Sequence, residues 1–307
     1  MDSLRSARIL VSGVSGPIGA ALLPSLESSG ARVTRLMRAG SAVGPATTME
    51  FIRWDPAKPI APESVSGFDA VIHLAGETIV GRWTAAKKAK IRDSRVVGTR
   101  NLAEALAQTQ NEPQVFVCSS AIGYYGDRGD ELLDEKSAPG SGFLAEVCCE
   151  WERATQPAAD AGIRTVQIRT GVVLSPKGGA LAKMLTPFKA GFGGRVGNGR
   201  QWMSWIDVND MVGAIHHILK TDSLRGPVNM VAPNPVTNGE FTKTLANVLR
   251  RPAIFPMPAL AARLAFGQMA DELLMSSQRV EPAQLLASGY SFRYPDLLAS
   301  LENILKR

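Results

Sequence analysis

Short apolar runs alternate with helical stretches along more than half of the chain. The first run, Arg8–Val11, predicts a buried strand, and a glycine turn follows it and leads into a helix that ends near Gly30. Further strands are predicted at Arg32–Arg38, Met49–Trp54, Phe68–Gly76, Gln114–Ser120 and Arg164–Arg169, with helices at Ala85–Ala107 and Glu146–Ala161. Continuous apolar runs of this kind are typical of parallel strands that are buried on both faces.

This alternation predicts an α/β fold, in which helices cover both faces of a doubly wound parallel sheet. From Ser175 the pattern changes, because residues 177–199 are rich in glycine and the residues after Val236 are mainly helical. We therefore predict a Rossmann-type domain over residues 1–174, completed by about 201–231. A small C-terminal substrate lobe is predicted from residues 175–200 and 232–307.

Composition narrows the class of protein. The 307 residues contain no apolar run of the ~18 residues that span a bilayer. The first residues lack a secretory signal, and the three cysteines have no metal-ligand spacing, so we expect a cytoplasmic protein without a metal. The net charge of +6 accompanies no nucleic-acid motif and fits an anionic cofactor or substrate. We expect small-molecule ligands and neither a nucleic-acid nor a membrane partner, and the oligomeric state stays open.

The glycine turn after the first strand is the strongest functional signal. Its spacing is G-x-x-G-x-x-G, formed by Gly13, Gly16 and Gly19. Gly13 turns the chain out of the strand, Gly16 lets a pyrophosphate approach the backbone, and Gly19 lets helix and sheet pack closely. The N-terminus of the helix then offers free N–H groups and a positive dipole end to phosphates. The unit predicts a dinucleotide site.

The end of the second strand indicates which dinucleotide binds. An NAD site usually has Asp or Glu there, whereas this strand ends in Arg38 with no acid nearby. An arginine can bind the 2′-phosphate of NADP(H) through paired N–H donors. We predict NADP(H), with Arg38 as the main contact and Arg35 as a weaker candidate. The alternative is that Arg38 is only a solvated charge.

Several motifs, taken in order, resemble the short-chain dehydrogenase/reductase superfamily in its extended, epimerase-like form. They are the glycine turn, His73–Gly76, Ser119–Gly126 and Trp205–Asp210. A finer set resembles a branch of uncharacterised "epimerase family" NADP-binding proteins, and it includes Trp54–Pro56, Gly81–Trp83, Ser94–Arg95, Gly178–Gly179 and Asn229–Pro233. The resemblance continues to Gly289–Phe292 and so covers nearly the full length.

The resemblance implies a set of cofactor residues. Gly13, Gly16, Pro17, Ile18 and Gly19 would hold the pyrophosphate, and Met37 and Arg38 the 2′-phosphate side. Leu74, Ala75 and Gly76 would lie under the adenine and ribose, while Lys90 and Arg95 would reach cofactor or substrate phosphates. Ser119, Ser120 and Val173 would pass near the nicotinamide.

The superfamily's usual proton-transfer pair, Tyr-x-x-x-Lys, is missing. Phe143 stands in the tyrosine position and Val147 in the lysine position, and a shift by one residue gives Leu144 and Cys148. The assisting serine is replaced by Ala121. Apolar side chains cannot transfer protons, so other residues must supply any acid or base.

Three residues are candidates for that role. Glu77 follows the strand that ends in Leu-Ala-Gly and could orient a substrate or act as a base, or else be a loop acid in water. Tyr124 and Tyr125 are phenols near the expected nicotinamide edge, although tyrosines in turns more often simply pack. Other polar residues are expected to be structural or to line the cleft. His73 is expected in the core, Asp210 as the cap of the helix that carries His216 and His217, and Asp207, like Asp210, as a cap or orienting acid. Gln201, Trp202 and Trp205 are expected in the cleft or the core.

Two functions are compatible with these features. The leading hypothesis is an NADP(H)-dependent oxidoreductase or epimerase-like enzyme that acts on a small, possibly anionic or nucleotide-sugar-like substrate. The alternative is an NADP(H)-binding sensor or scaffold protein without turnover, which the missing pair favours.

Overall fold

A parallel sheet forms the centre of the molecule. The computed structural model describes residues 4–40 and 50–305, and within these ranges the sheet has seven strands. They are β1 (Arg8–Ser12), β2 (Arg32–Arg38), β3 (Phe51–Trp54), β4 (Ala70–His73), β5 (Val115–Ala121), β6 (Arg164–Thr170) and β7 (Gly226–Met230). Their order is β7-β6-β5-β4-β1-β2-β3, and every neighbouring pair is parallel. The predicted doubly wound α/β fold is confirmed. Met49, where we expected β3 to begin, lies outside the described residues.

Ten α-helices occur in the described ranges. They are α1 (Pro17–Ser28), α2 (Ala85–Leu106), α3 (Phe143–Arg153), α4 (Gln156–Asp160), α5 (Gly179–Lys189), α6 (Val208–Lys220), α7 (Asn238–Leu249), α8 (Ala259–Phe266), α9 (Ala283–Ala287) and α10 (Leu297–Leu305). The single helix predicted over Glu146–Ala161 is wrong, because the structure has α3 and α4 there. Pro157 has no N–H to donate to the Arg153 carbonyl, which favours a break in the helix just before it.

Helices pack against both faces of the sheet. On one face Val11, Leu26 and Ile215 belong to one buried apolar cluster, and on the other Leu10 and Phe116 belong to a second. A third cluster packs α5, α7 and α10 around the fully buried Trp205. No helix in the described ranges is long and apolar enough to cross a membrane.

Three short strand pairs lie outside the central sheet in the described ranges. Val172–Leu174 pairs with Trp205–Asp207, Trp202–Met203 with Val236–Thr237, and Leu132–Leu133 with Arg279–Val280. Val172 follows almost directly on β6, so the first pair lies just beyond the carboxyl end of that strand.

The residue that caps α6 differs from the prediction. Asp207, not Asp210, is the N-cap, and its side chain accepts the Asn209 N–H at 2.7 Å. Asp210 instead accepts the backbone N–H groups of Arg293 at 2.7 Å and Tyr294 at 2.8 Å. The prediction that Asp210 caps the helix is therefore wrong. Its carboxylate fastens the C-terminal segment to α6.

Candidate functional site

The sheet reverses its strand order between β1 and β4, where ligands of open α/β sheets bind. Ser12 at the end of β1 lies 2.7 Å from the Nδ1 atom of His73 at the end of β4. The Ser12 hydroxyl also accepts the Leu74 N–H at 3.2 Å. Burial lowers the pKa of His73 to about 4, so the imidazole is neutral. His73 is the core residue that we predicted, and it ties β1 to β4.

The three glycines of the turn have different surroundings. A Cβ atom on Gly13 would lie 2.5 Å from the carbonyl carbon of Leu74, and its φ of +71° also favours glycine. A Cβ atom on Gly19 would lie 2.5 Å from the carbonyl oxygen of Gly13. On Gly16 the nearest atom would be that same oxygen at 3.4 Å, and its φ is −75°. Gly13 and Gly19 are thus required for packing, whereas Gly16 borders open space.

The N-terminus of α1 borders the same space. Gly16 is its N-cap, Pro17 is its first residue, and no side chain within the described ranges caps it. Proline fits this position because its missing N–H has no partner in a helix anyway. The glycine pair Gly178 and Gly179 lies next to Pro17 and borders this space from another side. A Cβ atom on Gly178 would be 3.5 Å from Pro17. The turn, the helix end and this pair form a cradle without acidic side chains in the first helical turn.

Positive charge collects at the ends of β2 and β4. Arg38 ends β2 and is exposed, as is Lys90 on α2. Glu77 forms an ion pair with Lys87, whose Nζ atom lies 2.8 Å from Oε1. The hydrogen bond from Lys87, with the charges of Arg38 and Lys90, lowers the pKa of Glu77. A carboxylate held in this way is a poor proton carrier, and it leaves a net positive edge.

The remaining cofactor candidates lie along the same edge. Ile18, Met37, Leu74, Ala75, Ser119 and Val173 are half-buried, and Gly76 is exposed. Ser120 is 3% exposed, and its hydroxyl donates to Glu152 at 2.7 Å. The structure therefore places Ser119 toward the open side of β5 and Ser120 toward the interior, and the expectation that both pass near the nicotinamide stays a prediction.

Tyr125 is not available to a substrate. Its side chain is fully buried, and its oxygen lies 2.7 Å from Asn229 Oδ1 and 3.0 Å from Nη1 of Arg169. Burial raises the pKa of Tyr125 to about 12. The phenol is a structural group inside the protein, and its predicted catalytic role is wrong because solvent and ligands cannot reach it.

Tyr124 keeps a partly accessible ring. The guanidinium carbon of Arg169 lies 3.5 Å from its centroid, and the Tyr125 ring meets it edge-on at 5.3 Å. Partial burial raises the pKa of Tyr124, although the charge of Arg169 opposes this. The phenol is therefore protonated at neutral pH. Of the two phenols predicted as acids, Tyr124 is the one that a ligand can reach.

A buried ion pair, which our sequence analysis missed, supports these tyrosines. Arg169 is 3% exposed and donates from Nε and Nη2 to the two carboxylate oxygens of Glu152, both at 2.8 Å. Burial works against the charge of Arg169, but these bonds raise its pKa overall. The signal available in the sequence was Arg169 itself, a charged residue inside an otherwise buried strand.

We expect Arg169→Met to destabilise the protein by about 3 kcal/mol, because it leaves the carboxylate of Glu152 without its partner. The measurement is the free energy of unfolding in denaturant. Arg92→Met is the matched control, since Arg92 is 40% exposed and its ion pairs with Glu146 and Glu150 are longer, at 3.5 and 3.4 Å. Its cost should stay below about 1 kcal/mol. Equal costs for both variants would contradict the prediction.

Apolar packing fills the position of the usual catalytic tyrosine. Phe143 is 8% exposed and meets the Trp83 ring edge-on at 5.2 Å. The carboxylate of Glu272 accepts the backbone N–H groups of Phe143 at 3.2 Å and Leu144 at 2.8 Å, so it caps α3 from the C-terminal part of the chain. Phe143 itself has no proton to donate, and the Nζ atom of Lys88 lies over its ring, 5.0 Å from the centroid.

The other polar candidates have structural partners. Gln201 donates to the carbonyls of Val196 at 3.1 Å and Leu274 at 3.0 Å, and Trp205 is fully buried. Trp202 is partly exposed, with its indole N–H on Asp130 at 2.8 Å and the guanidinium of Arg279 over its ring. Across residues 4–40 and 50–305, no group of His, Cys, Asp and Glu could hold a metal ion.

The strand order, the glycine turn at its reversal and the positive edge beyond β2 and β4 define a dinucleotide-binding protein of Rossmann type. Comparison with protein families agrees with this class. Residues 9–231 match the NAD dependent epimerase/dehydratase family, and residues 257–304 match a domain of unknown function, DUF1731. The chain belongs to the NAD dependent epimerase/dehydratase family of the short-chain dehydrogenase/reductase superfamily, as the motifs indicated.

Individual relatives cover nearly the whole chain. An epimerase family protein of Mycobacterium bovis is 40% identical over 293 residues, which is 95% of each chain. The human epimerase family protein SDR39U1, solved with NADPH, has a TM-score of 0.88 and 34% identity over 98% of this chain and 99% of that one. A Corynebacterium glutamicum structure, described as a nucleoside-diphosphate sugar epimerase, has a TM-score of 0.80 and 38% identity. The matched region covers 98% of this chain and 58% of the Corynebacterium glutamicum chain.

Proposed function

We propose that this protein binds NADP(H) and uses it as an oxidoreductase or epimerase-like enzyme on a small substrate. The observation that carries the proposal is the cradle at Gly16, whose open side faces an uncapped helix N-terminus. The positive edge formed by Arg38, Lys87 and Lys90 supports NADP(H) over NAD(H), because a 2′-phosphate adds negative charge there. The NADPH bound by human SDR39U1 supports the same choice.

The residues present fit this cofactor. Gly13, Gly16 and Gly19, with the first turn of α1, would hold its pyrophosphate, and Arg38 would bind the 2′-phosphate. When bound, the cofactor supplies a hydride, or accepts one, at its nicotinamide ring. Ser119 and Val173 lie on the open side of the sheet. Each half of such a sheet binds one half of a dinucleotide, so the nicotinamide half would lie there.

Tyr124 is the residue that we assign to proton transfer. Its phenol is protonated at neutral pH and partly accessible, and Arg169 holds its ring in place. A protonated phenol can donate a proton to the oxygen of a carbonyl that receives a hydride at carbon. Tyr124 therefore favours carbonyl reduction over alcohol oxidation, which would first require the phenolate.

The substrate class is tested by a screen with NADPH. Carbonyl compounds are scored by loss of the absorbance of the reduced nicotinamide. Nucleoside-diphosphate sugars, suggested by the description of the Corynebacterium glutamicum protein, are scored by chromatography of the sugar because epimerisation has no net redox change. Turnover of either group supports the enzyme.

A sensor or scaffold without turnover remains the second candidate. The observation that favours it is the closed packing of Phe143 and Tyr125, which leaves the usual position of the acid and one of the two candidate phenols without an accessible donor. Tight NADPH binding with no turnover in the whole screen would favour this candidate over the enzyme.

We expect Arg38→Ala to weaken NADPH binding by ~1.5–3 kcal/mol, the value of a charge-assisted hydrogen bond, and to leave NADH binding almost unchanged. Isothermal titration calorimetry measures both affinities. Arg32→Ala is the matched control, because Arg32 is an exposed arginine at the other end of β2. Equal affinity of the wild type for NADPH and NADH would refute the cofactor preference.

A further inference from the structure

Exposed apolar side chains collect on one segment of the C-terminal part of the chain. Residues 254–264 run from an extended stretch into α8, and the ring centroid of Phe192 lies 5.8 Å from that of Phe255. Together their large side chains expose an apolar area on the order of 700 Å², above the ~300–600 Å² of the largest patch on a typical monomer. We call this set the apolar ridge. Its members, which are 39% to 72% exposed, are Phe192, Ile254, Phe255, Met257, Leu260 and Leu264.

The extended stretch of the ridge is exposed on both of its faces. The Phe255 N–H donates to the Gly193 carbonyl at 3.3 Å. Two residues later, the Met257 N–H donates to the Arg195 carbonyl at 2.8 Å, so this stretch runs as a strand. Consecutive side chains of a strand point to opposite faces. Phe255 and Met257 on one face and Pro256 on the other are all exposed, so the ridge projects from the molecule.

The surface around the ridge is basic. Residues 161–206 contain seven Lys or Arg residues, residues 241–270 contain four, and neither segment contains Asp or Glu. On α8 itself, Arg263 forms an ion pair with Asp271 at 2.8 Å. Four further cations are exposed and lie within four residues of Phe192 or Ile254 along the chain. We call them the flanking cations, and they are Lys189, Arg195, Arg250 and Arg251.

The shape and the charge of the ridge favour one kind of partner. In a two-fold dimer the same patch contacts itself, which would bring the flanking cations of one copy against those of the other. A flat acidic protein surface would cover one face of the ridge and leave the other in water. A lipid bilayer surrounds an inserted ridge on both faces, and anionic headgroups attract the basic surface around it.

We infer that the apolar ridge inserts into the surface of an anionic lipid bilayer, with the flanking cations at the headgroups. Such a peripheral contact needs no membrane-spanning segment, and it departs from our expectation of no membrane partner. Helix α5 begins at Gly179, beside Pro17, and ends at Lys189, about 15 Å farther on at 1.5 Å per residue. The ridge is therefore separate from the cofactor cradle, and the inference does not rest on the proposed function.

Co-sedimentation of the full chain with lipid vesicles tests the inference. The vesicles contain phosphatidylcholine alone, or phosphatidylcholine with phosphatidylglycerol. The wild type should bind the phosphatidylglycerol vesicles at least about tenfold more tightly, because each cation near an anionic surface contributes roughly fivefold. Raising the salt concentration from ~0.05 to ~0.5 M should weaken this binding, since exposed charges are screened.

A double variant of the ridge tests the apolar contribution. Ile254→Ser with Leu264→Ser should weaken binding to the phosphatidylglycerol vesicles at least about tenfold, because it removes two large side chains from the lipid contact. Leu286→Ser with Leu298→Ser is the matched control, since these leucines are exposed on α9 and α10. The control should bind as the wild type does.

A second double variant tests the charges. Lys189→Glu with Arg251→Glu should abolish the preference for phosphatidylglycerol vesicles. Arg32→Glu with Arg100→Glu makes the same change in net charge at exposed positions on β2 and α2, and it should retain the preference. All four variants should melt near the temperature of the wild type, because every replaced side chain is exposed.

Three results would overturn the inference. They are equal binding of the wild type to both kinds of vesicle, absence of binding to either, or ridge variants that bind as tightly as their controls. Sedimentation velocity without lipid addresses the second copy. A dimer of the wild type that Ile254→Ser with Leu264→Ser dissociates would assign the ridge to a second copy of this chain and refute the lipid contact.

Discussion

Replacing Tyr124 with phenylalanine should lower the turnover of a carbonyl substrate by a factor of ~10²–10⁴, the usual cost of losing a general acid. The phenylalanine ring keeps the stacking on Arg169, whose guanidinium carbon lies 3.5 Å from the ring centroid. The fold and the affinity for NADPH should therefore be unchanged. The measurement is kcat with NADPH and a carbonyl substrate found in the screen, together with the cofactor Kd.

Tyr125→Phe is the matched control for this variant. It removes a hydroxyl that lies 2.7 Å from Asn229 and is fully buried, so it should cost stability rather than rate. The expected loss is about 1–3 kcal/mol, the penalty for leaving buried polar groups unpaired. Glu77→Gln should also retain most of the activity, because Glu77 is an ion-pair partner of Lys87. A Tyr124→Phe variant as active as the wild type would show that the acid lies elsewhere, for instance a bound water.

The pH dependence of the reduction follows from the same group. Burial raises the pKa of Tyr124 above its ordinary value near 10, so the protonated, active form persists through neutral pH. Because the acid form is required, this contribution to the rate is lost only as the pH rises through that raised pKa. A fall in the reduction rate between about pH 6 and 8 would have to come from another residue.

The central fold was predictable from the sequence because its signals are local and agree with one another. The apolar run Arg8–Val11, the glycine turn and the strand that ends in Arg38 specify one βαβ unit without further information. Prediction failed where one residue decides between two local structures. Pro157 splits the helix expected over Glu146–Ala161, and Asp207 takes the capping position that we gave to Asp210.

The glycine turn is the part of the candidate site whose packing could be predicted from the sequence. Glycine spacing indicates where a chain turns, where it packs closely and where its backbone borders open space, so Gly13, Gly19 and Gly16 could each be given a separate role. Proton transfer depends on which side chains reach the cleft, and this is set by contacts between distant segments. Tyr124 and Tyr125 are adjacent in sequence, yet Asn229 from β7 and Arg169 from β6 hold the hydroxyl of Tyr125 inside.

Gly16→Val should abolish NADPH binding, with an affinity loss of at least about a thousandfold, and should leave the protein folded. Gly16 has a φ of −75°, which valine adopts, and a Cβ atom there would meet only the carbonyl oxygen of Gly13, at 3.4 Å. The valine side chain would fill the space beside the helix N-terminus where the pyrophosphate must lie. A thousandfold loss is about 4 kcal/mol, which corresponds to losing several backbone hydrogen bonds to phosphate at once.

Gly19→Val is the matched comparison, because its Cβ atom would lie 2.5 Å from the carbonyl oxygen of Gly13 and 2.6 Å from the Cα atom of Val14. Backbone atoms cannot move aside as a flexible side chain can, so this variant should lower the melting temperature markedly as well as prevent binding. Calorimetry with NADPH and melting without it are measured on both variants. The expected pattern is a native-like melt for Gly16→Val and a depressed one for Gly19→Val, with binding lost in both. If Gly16→Val bound NADPH as tightly as the wild type, the glycine turn would be a packing feature, and the pyrophosphate would have to bind at another part of the sheet edge.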